Sequence, residues 1–395
     1  MQELAAVRTV KQATRILKQM NLQAPELEPV HELGRGALRQ ILEERMQARV
    51  RRYLDEVVRR GLADRRNGGY RRGLLTAMGA VELCVPRTRR FSAQLVVEAY
   101  ARRERDVDRL ILAAFVLGLS TRKVGEALLS ILGERVSATT VSRVAQQLDT
   151  AVAAFHRRPL ANRYRVLLLD GVVLANRTGA GAIRRPVLVA LGITLDGRKE
   201  ILDFQVARSE GRAAWERFLT DLYTRGLTGH GLSVIVTDGG AGLLAALPVV
   251  YPQVRVQRCW AHKTRNVLDK VRLADRDAVK RDLHRISHAA HPKAARSAAR
   301  RFMDRWARRY PSAARCLALD LEELLTFFLF DEESWRKAAR TTNAIERRFR
   351  EVRRRTRPMG VMANKDSVER ILFAVFTHLN QSEGTGAPFL LTQNS

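Results

Sequence analysis

Cysteine is scarce in this chain. Cys84, Cys259 and Cys316 lie far apart and are odd in number, which excludes a disulfide framework and fits a reducing compartment. No run of 18 or more apolar residues occurs, so nothing in the sequence has the length of a membrane span. The opening MQELAAVRTVKQATRIL reads as an amphipathic helix without the apolar block of a secretory leader, and a cytoplasmic location is expected. Lysine is also rare, ten residues against 60 arginines, and acids fall well short of bases: 41 Asp+Glu against 70 Lys+Arg leaves a net charge of +29. Such an imbalance opposes compaction through self-repulsion and answers a polyanionic partner. Guanidinium grips phosphate in a bidentate fork and stacks on bases. No apolar anchor accompanies the charge, so nucleic acid is favoured over an anionic membrane.

The 395 residues are 46% apolar, enough for two or three cores and too much for a disordered chain. Residues 1–60 read as helical, with Leu38, Ile41, Leu42, Met46, Val50 and Leu54 close to a helical period until Gly61 and Asn67-Gly68-Gly69 end the pattern. GLLTAMGAVELCVPRTR alternates about Gly79 and predicts a hairpin, followed by the basic Arg87, Arg89 and Arg90. From 106 three short helices follow, the second capped by Ser120 and the third by Ser137. Their tight connections resemble a helix-turn-helix, in which Thr139, Thr140, Ser142 and Arg143 near the start of the third helix would reach base edges. An ordinary three-helix packing unit would show the same pattern.

Between 163 and 258 the character changes to strands. YRVLLLD ends an apolar run in a carboxylate, and PVLVALGIT and KEILDFQVA flank the Asp196-Gly197 turn signal. RAAWERFLTDLYTRG is an amphipathic helix with Trp215, Phe218 and Leu222 on its core face. LSVIVTD again ends in a carboxylate, and VRVQ is a short fifth strand. Residues 171–186, GVVLANRTGAGAIRRP, read as a Gly- and Arg-rich loop, and 261–335 as almost wholly helical.

Singly, Asp170 before Gly171 and Asp238 before Gly239 are turn residues by type. Together they say more, because parallel pairing of the two strands would bring both carboxylates to one sheet edge, where open α/β sheets hold ligands. Adjacent carboxylates call for a cation, and Mg²⁺ takes oxygen ligands while leaving positions for phosphate oxygens. Glu346 is the third acid, in a helix carrying Arg340, Arg347, Arg348, Arg350, Arg353, Arg354 and Arg355. It either forms i,i+4 pairs there or completes a site whose arginines grip a nucleic-acid backbone.

With NGGY, VPRTR, GLSTRKV, the aspartate of LLLDG, WERFLTDLYTRGL, VTDGGAGLLAAL, QRCWAHKTRN and RTTNAIERRFR in this order, the chain resembles the Mutator-like transposases of bacterial insertion sequences from about residue 45 to 380. The resemblance implies a ribonuclease H-like mixed-sheet catalytic core of the DDE type, with Asp170, Asp238 and Glu346 as catalytic acids holding two Mg²⁺ ions (Mn²⁺ may replace them). It also implies an all-α insertion domain, which would absorb the 108 positions between Asp238 and Glu346. The organisation expected is a mainly helical N-terminal DNA-binding region (1–105), a helix-turn-helix-like domain (106–158) and a first part of the core (159–260). The helical insertion (261–335), a closing part (336–381) and a flexible tail (382–395) follow. The activity implied is cleavage and strand transfer at the terminal inverted repeats of an insertion sequence in a bacterial cytoplasm. Double-stranded DNA and a second copy of the chain are the partners, and no covalent protein–DNA intermediate is needed. His262 and Arg347, Arg350, Arg353 and Arg354 join Thr139, Thr140 and Arg143 as candidate DNA contacts. A ribonuclease H-like nuclease or resolvase and a non-catalytic DNA-binding regulator stay open as alternatives. Cys259 and His262 have the spacing of half a zinc site that His284, His288 and His291 could complete, although core packing of Cys259 explains it as well. Trp335, just before the Glu346 helix, is read as core rather than as a base-stacking platform.

Overall fold

The computed structural model describes residues 27–91, 105–116, 119–132, 134–178, 181–359, 362 and 364–385. The amphipathic helix predicted over 1–17, Gly118, Gly133 and the tail beyond 385 lie outside them. The chain divides into two compact units, one running to residue 115 and again from 120 to 144, the other comprising 116–119 and 145–393.

In the first unit, α1 (Leu27–Arg59) precedes a hairpin of β1 (Arg66–Thr76) and β2 (Gly79–Thr88). Met46 and Val50 of α1 pack against Val81, Leu83 and Val85, alternate residues of β2 that share one face. Ile41, expected on this face, is exposed. Asn67-Gly68-Gly69, expected to end the helical region, instead lie inside β1 at a register shift between Arg66 and Gly69; α1 has already stopped at Arg59. The helices α2 (Arg105–Val116), α3 (Thr121–Ala127), α4 (Leu129–Leu132) and α5 (Ala138–Ala145) follow. Both expected caps are present: Ser120 accepts from the Lys123 N–H at 3.3 Å and Ser137 from the Thr140 N–H at 3.1 Å.

The second unit starts with α6 (Leu148–Arg157) and holds a mixed α/β core. Its elements are β3 (Tyr164–Thr178), β4 (Gly181–Thr194), β5 (Lys199–Val206), α7 (Arg212–Thr224), β6 (Val234–Thr237), α8 (Ala241–Val250) and β7 (Arg255–Arg258). The five strands stand in the order β5-β4-β3-β6-β7, antiparallel from β5 to β3 and parallel from β3 to β7. Gly197 takes the positive φ (80°) expected of the β4–β5 turn. One strand was misjudged from sequence. β3 does not end at Asp170, and residues 171–178 and 181–186 are not a loop; they extend the β3–β4 hairpin, pairing from Gly171↔Leu188 to Thr178↔Gly181. Asp-Gly looks like a strand terminus, but Val172 and Leu174 keep an alternating buried face beyond it.

Leu167 and Leu169 face α7 and α8, where Trp215, Phe218, Leu219, Leu222, Leu243 and Leu247 form the main core. Strand alternation turns Val166, Leu168 and Asp170 to the opposite face. That face receives the C-terminal helices α15 (Asn343–Thr356) and α16 (Lys365–Ser382), both of which pack against β3. Between β7 and these lie α9 (Trp260–Leu268), α10 (Arg276–Ser287), α11 (Pro292–Trp306), α12 (Pro311–Ala318), α13 (Leu321–Leu324) and α14 (Glu333–Ala339), so the stretch read as helical is helical. Ser382, expected to open the tail, is still within α16. Trp335 is buried and stacks on Phe330, as the core expectation required.

Gln257, fully buried on the edge strand β7, ties this helical stretch to the sheet. Its Nε2 donates to the Leu324 carbonyl at 3.0 Å and its Oε1 accepts from the Phe327 N–H at 2.6 Å. Replacement Gln257→Leu leaves that N–H unpaired, so stability should fall by about 1–3 kcal/mol. Urea denaturation followed by circular dichroism checks this, and an unchanged midpoint would show the brace to be dispensable.

Candidate active site

The parallel pairing of β3 with β6 runs from Val166↔Val234 to Leu169↔Thr237. The next residues are Asp170 and Asp238, so the two acids stand side by side at the point where β6 stops, on strands roughly 4.8 Å apart. β3 continues, but its neighbour on this side does not, and the backbone beside Asp170 opens toward α15.

Asp238 begins a tight turn. Its Oδ1 accepts from the Gly240 N–H at 3.0 Å and from the Thr237 hydroxyl at 3.2 Å. Gly239 adopts a φ of +92°, and a Cβ there would lie 2.0 Å from the Arg258 guanidinium. Arg258 thus lies flat on the turn, held by Asp320 at 3.4 Å and Glu323 at 3.5 Å, and fastens the Asp238 loop to the helical region. The turn role that the sequence suggested for Asp238 and a role in a site therefore coexist.

Asp170 is only 7% exposed and accepts one hydrogen bond, from the Gly171 N–H at 2.7 Å. Burial pushes its carboxyl up to about 7, and the nearby charges of Asp238 and Glu346 add to the rise, against the Gly171 N–H and His262. Glu346 sits in the first turn of α15, its Oε1 3.3 Å from the Thr342 hydroxyl and 3.7 Å from His262 Nδ1. Cys259, at the start of α9, is buried and accepts from both the N–H and the hydroxyl of Thr342, each at 3.3 Å. Burial alone would raise the Cys259 thiol, but hydrogen bonds from His262 and Thr342 outweigh it and bring the thiol down. Its partner His262 is correspondingly pushed up to about 9, chiefly by the bond to Cys259 and further by Asp170 and Glu346. His262 is thus an imidazolium at neutral pH, standing between two acids.

A cleft of about 470 Å³ is lined by Asp170, His262, Glu346, Arg347, Arg350 and Arg353; Asp238 is not among its lining residues. Arg347, Arg350 and Arg353 recur at three-residue spacing on the Glu346 side of α15 and make no ion pair among the described residues. Arg348 and Arg355 are buried and paired with Glu383 and Glu351, and Arg354 pairs with Glu351 at 2.8 Å outside the cleft. Arg265 and Asn343 also line it and were missed; Arg265 lies one helical turn after His262, which was the available signal. Thr139, Thr140 and Arg143 belong to the first unit, on α5. There Thr140 lines a separate cleft of about 660 Å³ with Arg71, Arg72 and Arg135.

Three hard-oxygen carboxylates, one of them buried and short of hydrogen bonds, are the donor set that Mg²⁺ prefers. As they stand, however, no three His, Cys, Asp or Glu among the described residues are drawn together closely enough to hold a metal ion. The zinc alternative finds no support in position. His284 and His288 stack on each other with ring centroids 3.7 Å apart, and His291 caps α11, accepting from the Ala294 N–H at 3.2 Å.

The sequence pattern of the family described as "Transposase, Mutator family" matches residues 6–383. The chain belongs to that family. Among curated relatives, it is 33% identical over 357 residues to the transposase for insertion sequence element ISRM5 of Rhizobium meliloti (strain 1021), covering 88% of this chain and 89% of the relative. It is 32% identical over 317 residues to the transposase for IS905 of Lactococcus lactis subsp. lactis (strain IL1403), 80% of each chain. The transposase for IS1081 of Mycobacterium tuberculosis (strain ATCC 25618 / H37Rv) is 31% identical over 332 residues, 83% of this chain and 79% of the relative. Membership of the Mutator transposases implies an enzyme that cuts and transfers DNA, with DNA as its partner. Among the described residues no helix is long and apolar enough to cross a membrane.

The titrations above have a definite sign. Asp170 holds in the folded state a proton that the unfolded chain has lost between about pH 4 and about 7, so its contribution to stability declines as pH rises through that window. The His262 contribution is complete below about 6.5 and is lost as pH rises through about 9. In EDTA, Asp170→Asn should therefore raise Tm relative to wild type by an amount that grows by a few degrees from pH 4 to pH 7. Scanning calorimetry measures the gap, and a gap independent of pH would contradict the assignment.

Proposed function

We propose that this Mutator-family chain is the transposase of an insertion sequence, cleaving and joining DNA at the element's terminal inverted repeats with the DDE acids Asp170, Asp238 and Glu346. The observation that carries this is the parallel register that sets Asp170 beside Asp238, with Glu346 and three arginines that make no ion pair among the described residues lining the cleft that Asp170 also lines. The five-stranded mixed sheet, antiparallel on one side of β3 and parallel on the other, supports reading the core as ribonuclease H-like and 261–335 as an insertion into it.

Asp170, Asp238 and Glu346 would hold two Mg²⁺ ions, with Mn²⁺ as a substitute. Such ions supply activation of an attacking oxygen and stabilisation of a leaving oxygen in phosphodiester displacement. The protein's own groups do the rest. Arg347, Arg350 and Arg353 bind backbone phosphates beside the acids, each guanidinium free to fork onto two oxygens. The His262 imidazolium donates to a phosphate oxygen and keeps the acids from repelling one another before DNA arrives. The Arg258 contact holds the Asp238 turn in place against the sheet edge.

In the first unit, the exposed Thr139 and Arg143 and the half-buried Thr140 of α5 read base edges of the terminal repeats. Arg71, Arg72 and Arg135 contact phosphates beside them. Joining two element ends to one target calls for two active sites, so the working form is a homodimer on DNA, acting in the bacterial cytoplasm.

Labelled terminal-repeat DNA, a target plasmid and Mg²⁺ test the proposal. Wild type should nick and join, and Asp238→Asn should reduce both products on the order of 100-fold or more while still binding the repeat. Nicks without joined products would assign a nuclease instead, and binding with no cleavage by wild type would assign a regulator. Separately, Arg350→Ala with Arg353→Ala should weaken DNA binding uniformly across sequences and lower the slope of log K against log salt by about 2. Fluorescence anisotropy from 50 to 300 mM salt measures it, and an unchanged slope would remove these arginines from the interface.

A further inference from the structure

Lys280, His284 and His288 follow one another at four-residue intervals, so α10 and its C-terminal end carry them on one face. Glu333, Lys337 and Arg340 share a face of α14 and its end in the same way. All six line a cavity of about 690 Å³, and Asn343 lines it with them. Asn343 also lines the cleft of Asp170, His262 and Glu346, so the two hollows adjoin at the first residue of α15.

Three cations line this cavity against one acid. That acid is spent: Arg340 Nη2 donates to Glu333 at 2.9 Å, while Lys280 and Lys337 make no ion pair among the described residues. Arg340 is only 8% exposed, and its Nε finds no hydrogen-bond partner. A buried guanidinium served by a single exposed carboxylate is short of acceptors, and an anion in the cavity it lines would supply one. The positive excess also acts on His288. Burial first, then the charges of Arg340 and His284, push its imidazole below the ordinary range. His284 and His288 stack with ring centroids 3.7 Å apart, so the floor between the lysines and Arg340 is planar and rigid.

We propose that this cavity binds a phosphate of the DNA strand that leaves the active-site cleft past Asn343, with Lys280 and Lys337 as mobile charges and Arg340 as the fixed donor. The proposal rests on DNA being the ligand of that cleft, as given above. A free phosphate ion would satisfy the same cations. The shared Asn343 favours a polymer, because one strand can occupy both hollows and a lone ion cannot. The bland account is a solvated crevice whose lysines are ordinary surface charges, removable without effect on any ligand.

The test is binding of labelled terminal-repeat duplex to the full-length protein in EDTA, where no strand is cut, by fluorescence anisotropy over a range of salt concentrations. The duplex is used whole and shortened stepwise from each end. Wild type is compared with Lys280→Ala plus Lys337→Ala, with Lys280→Arg plus Lys337→Arg, and with the control Lys293→Ala plus Arg300→Ala. The control pair is exposed on α11, which lines neither hollow. Tm and circular dichroism confirm the fold of each. On the whole duplex the alanine pair should weaken binding on the order of tenfold and lower the slope of log K against log salt by about 2. The arginine pair should keep the wild-type slope, and the control should change it less than the alanine pair does. The deficit should vanish once the duplex is cut back past the length that reaches the cavity. Wild-type binding by the alanine pair overturns the proposal, and so does an equal loss in the control or at every length. If millimolar inorganic phosphate at matched ionic strength abolishes the deficit while duplex length does not, the cavity is a free-anion site and the strand assignment is overturned. Because cleavage is not read, failure of the joining assay leaves this assignment standing. Failure of wild type to bind the repeat overturns both.

Discussion

Four parallel residue pairs between β3 and β6, from Val166↔Val234 to Leu169↔Thr237, determine the chemistry this chain can host. Register in a sheet is all or nothing, since a slip of one residue would turn Asp170 into the core beneath α7 and α8. Leu167 and Leu169 prevent that slip by filling the face toward Trp215, Phe218 and Leu219. The two aspartates are therefore held side by side by leucine packing on the other face. Proximity is imposed on them by the core, and their repulsion is a cost the fold carries.

How that repulsion is contained explains the surroundings. His262, made cationic by Cys259, lies 3.7 Å from Glu346 and its charge lowers the Asp170 carboxyl, and Thr342 links the cysteine, the histidine and the glutamate in one set of contacts. Arg347, Arg350 and Arg353 of α15 line the same cleft as Asp170, His262 and Glu346. Under the proposed function the acids would take the cations and the arginines the phosphates. The arrangement also accounts for part of the charge excess, because Arg347, Arg350 and Arg353 make no ion pair among the described residues.

Much of this was legible in the sequence. Trp215, Phe218 and Leu222, the Ser120 and Ser137 caps and the Asp196-Gly197 turn followed from local pattern and short-range hydrogen bonding, and the structure has each of them. What local pattern mistook were places where long-range pairing decides. Asp170-Gly171 resembles the end of a strand, yet β4 pairs with eight further residues of β3 beyond Asp170, and only tertiary context distinguishes a strand that ends from one whose neighbour ends.

Two glycines beside the acids show a constraint that local pattern does not reveal. Gly171 directly follows Asp170 and Gly242 follows Asp238 by four residues, and in a sequence such glycines suggest turns. Neither adopts a positive φ; their function is to have no side chain where the segment 210–212 crosses. A glycine required by close approach from a distant segment is indistinguishable in one sequence from a glycine required by a turn. A single methyl group at Gly171 would displace the Glu210 carboxylate while leaving Asp170, Asp238 and Glu346 chemically intact. The close packing of segment 210–212 against both acid-bearing elements thus depends on residues that carry no chemistry of their own.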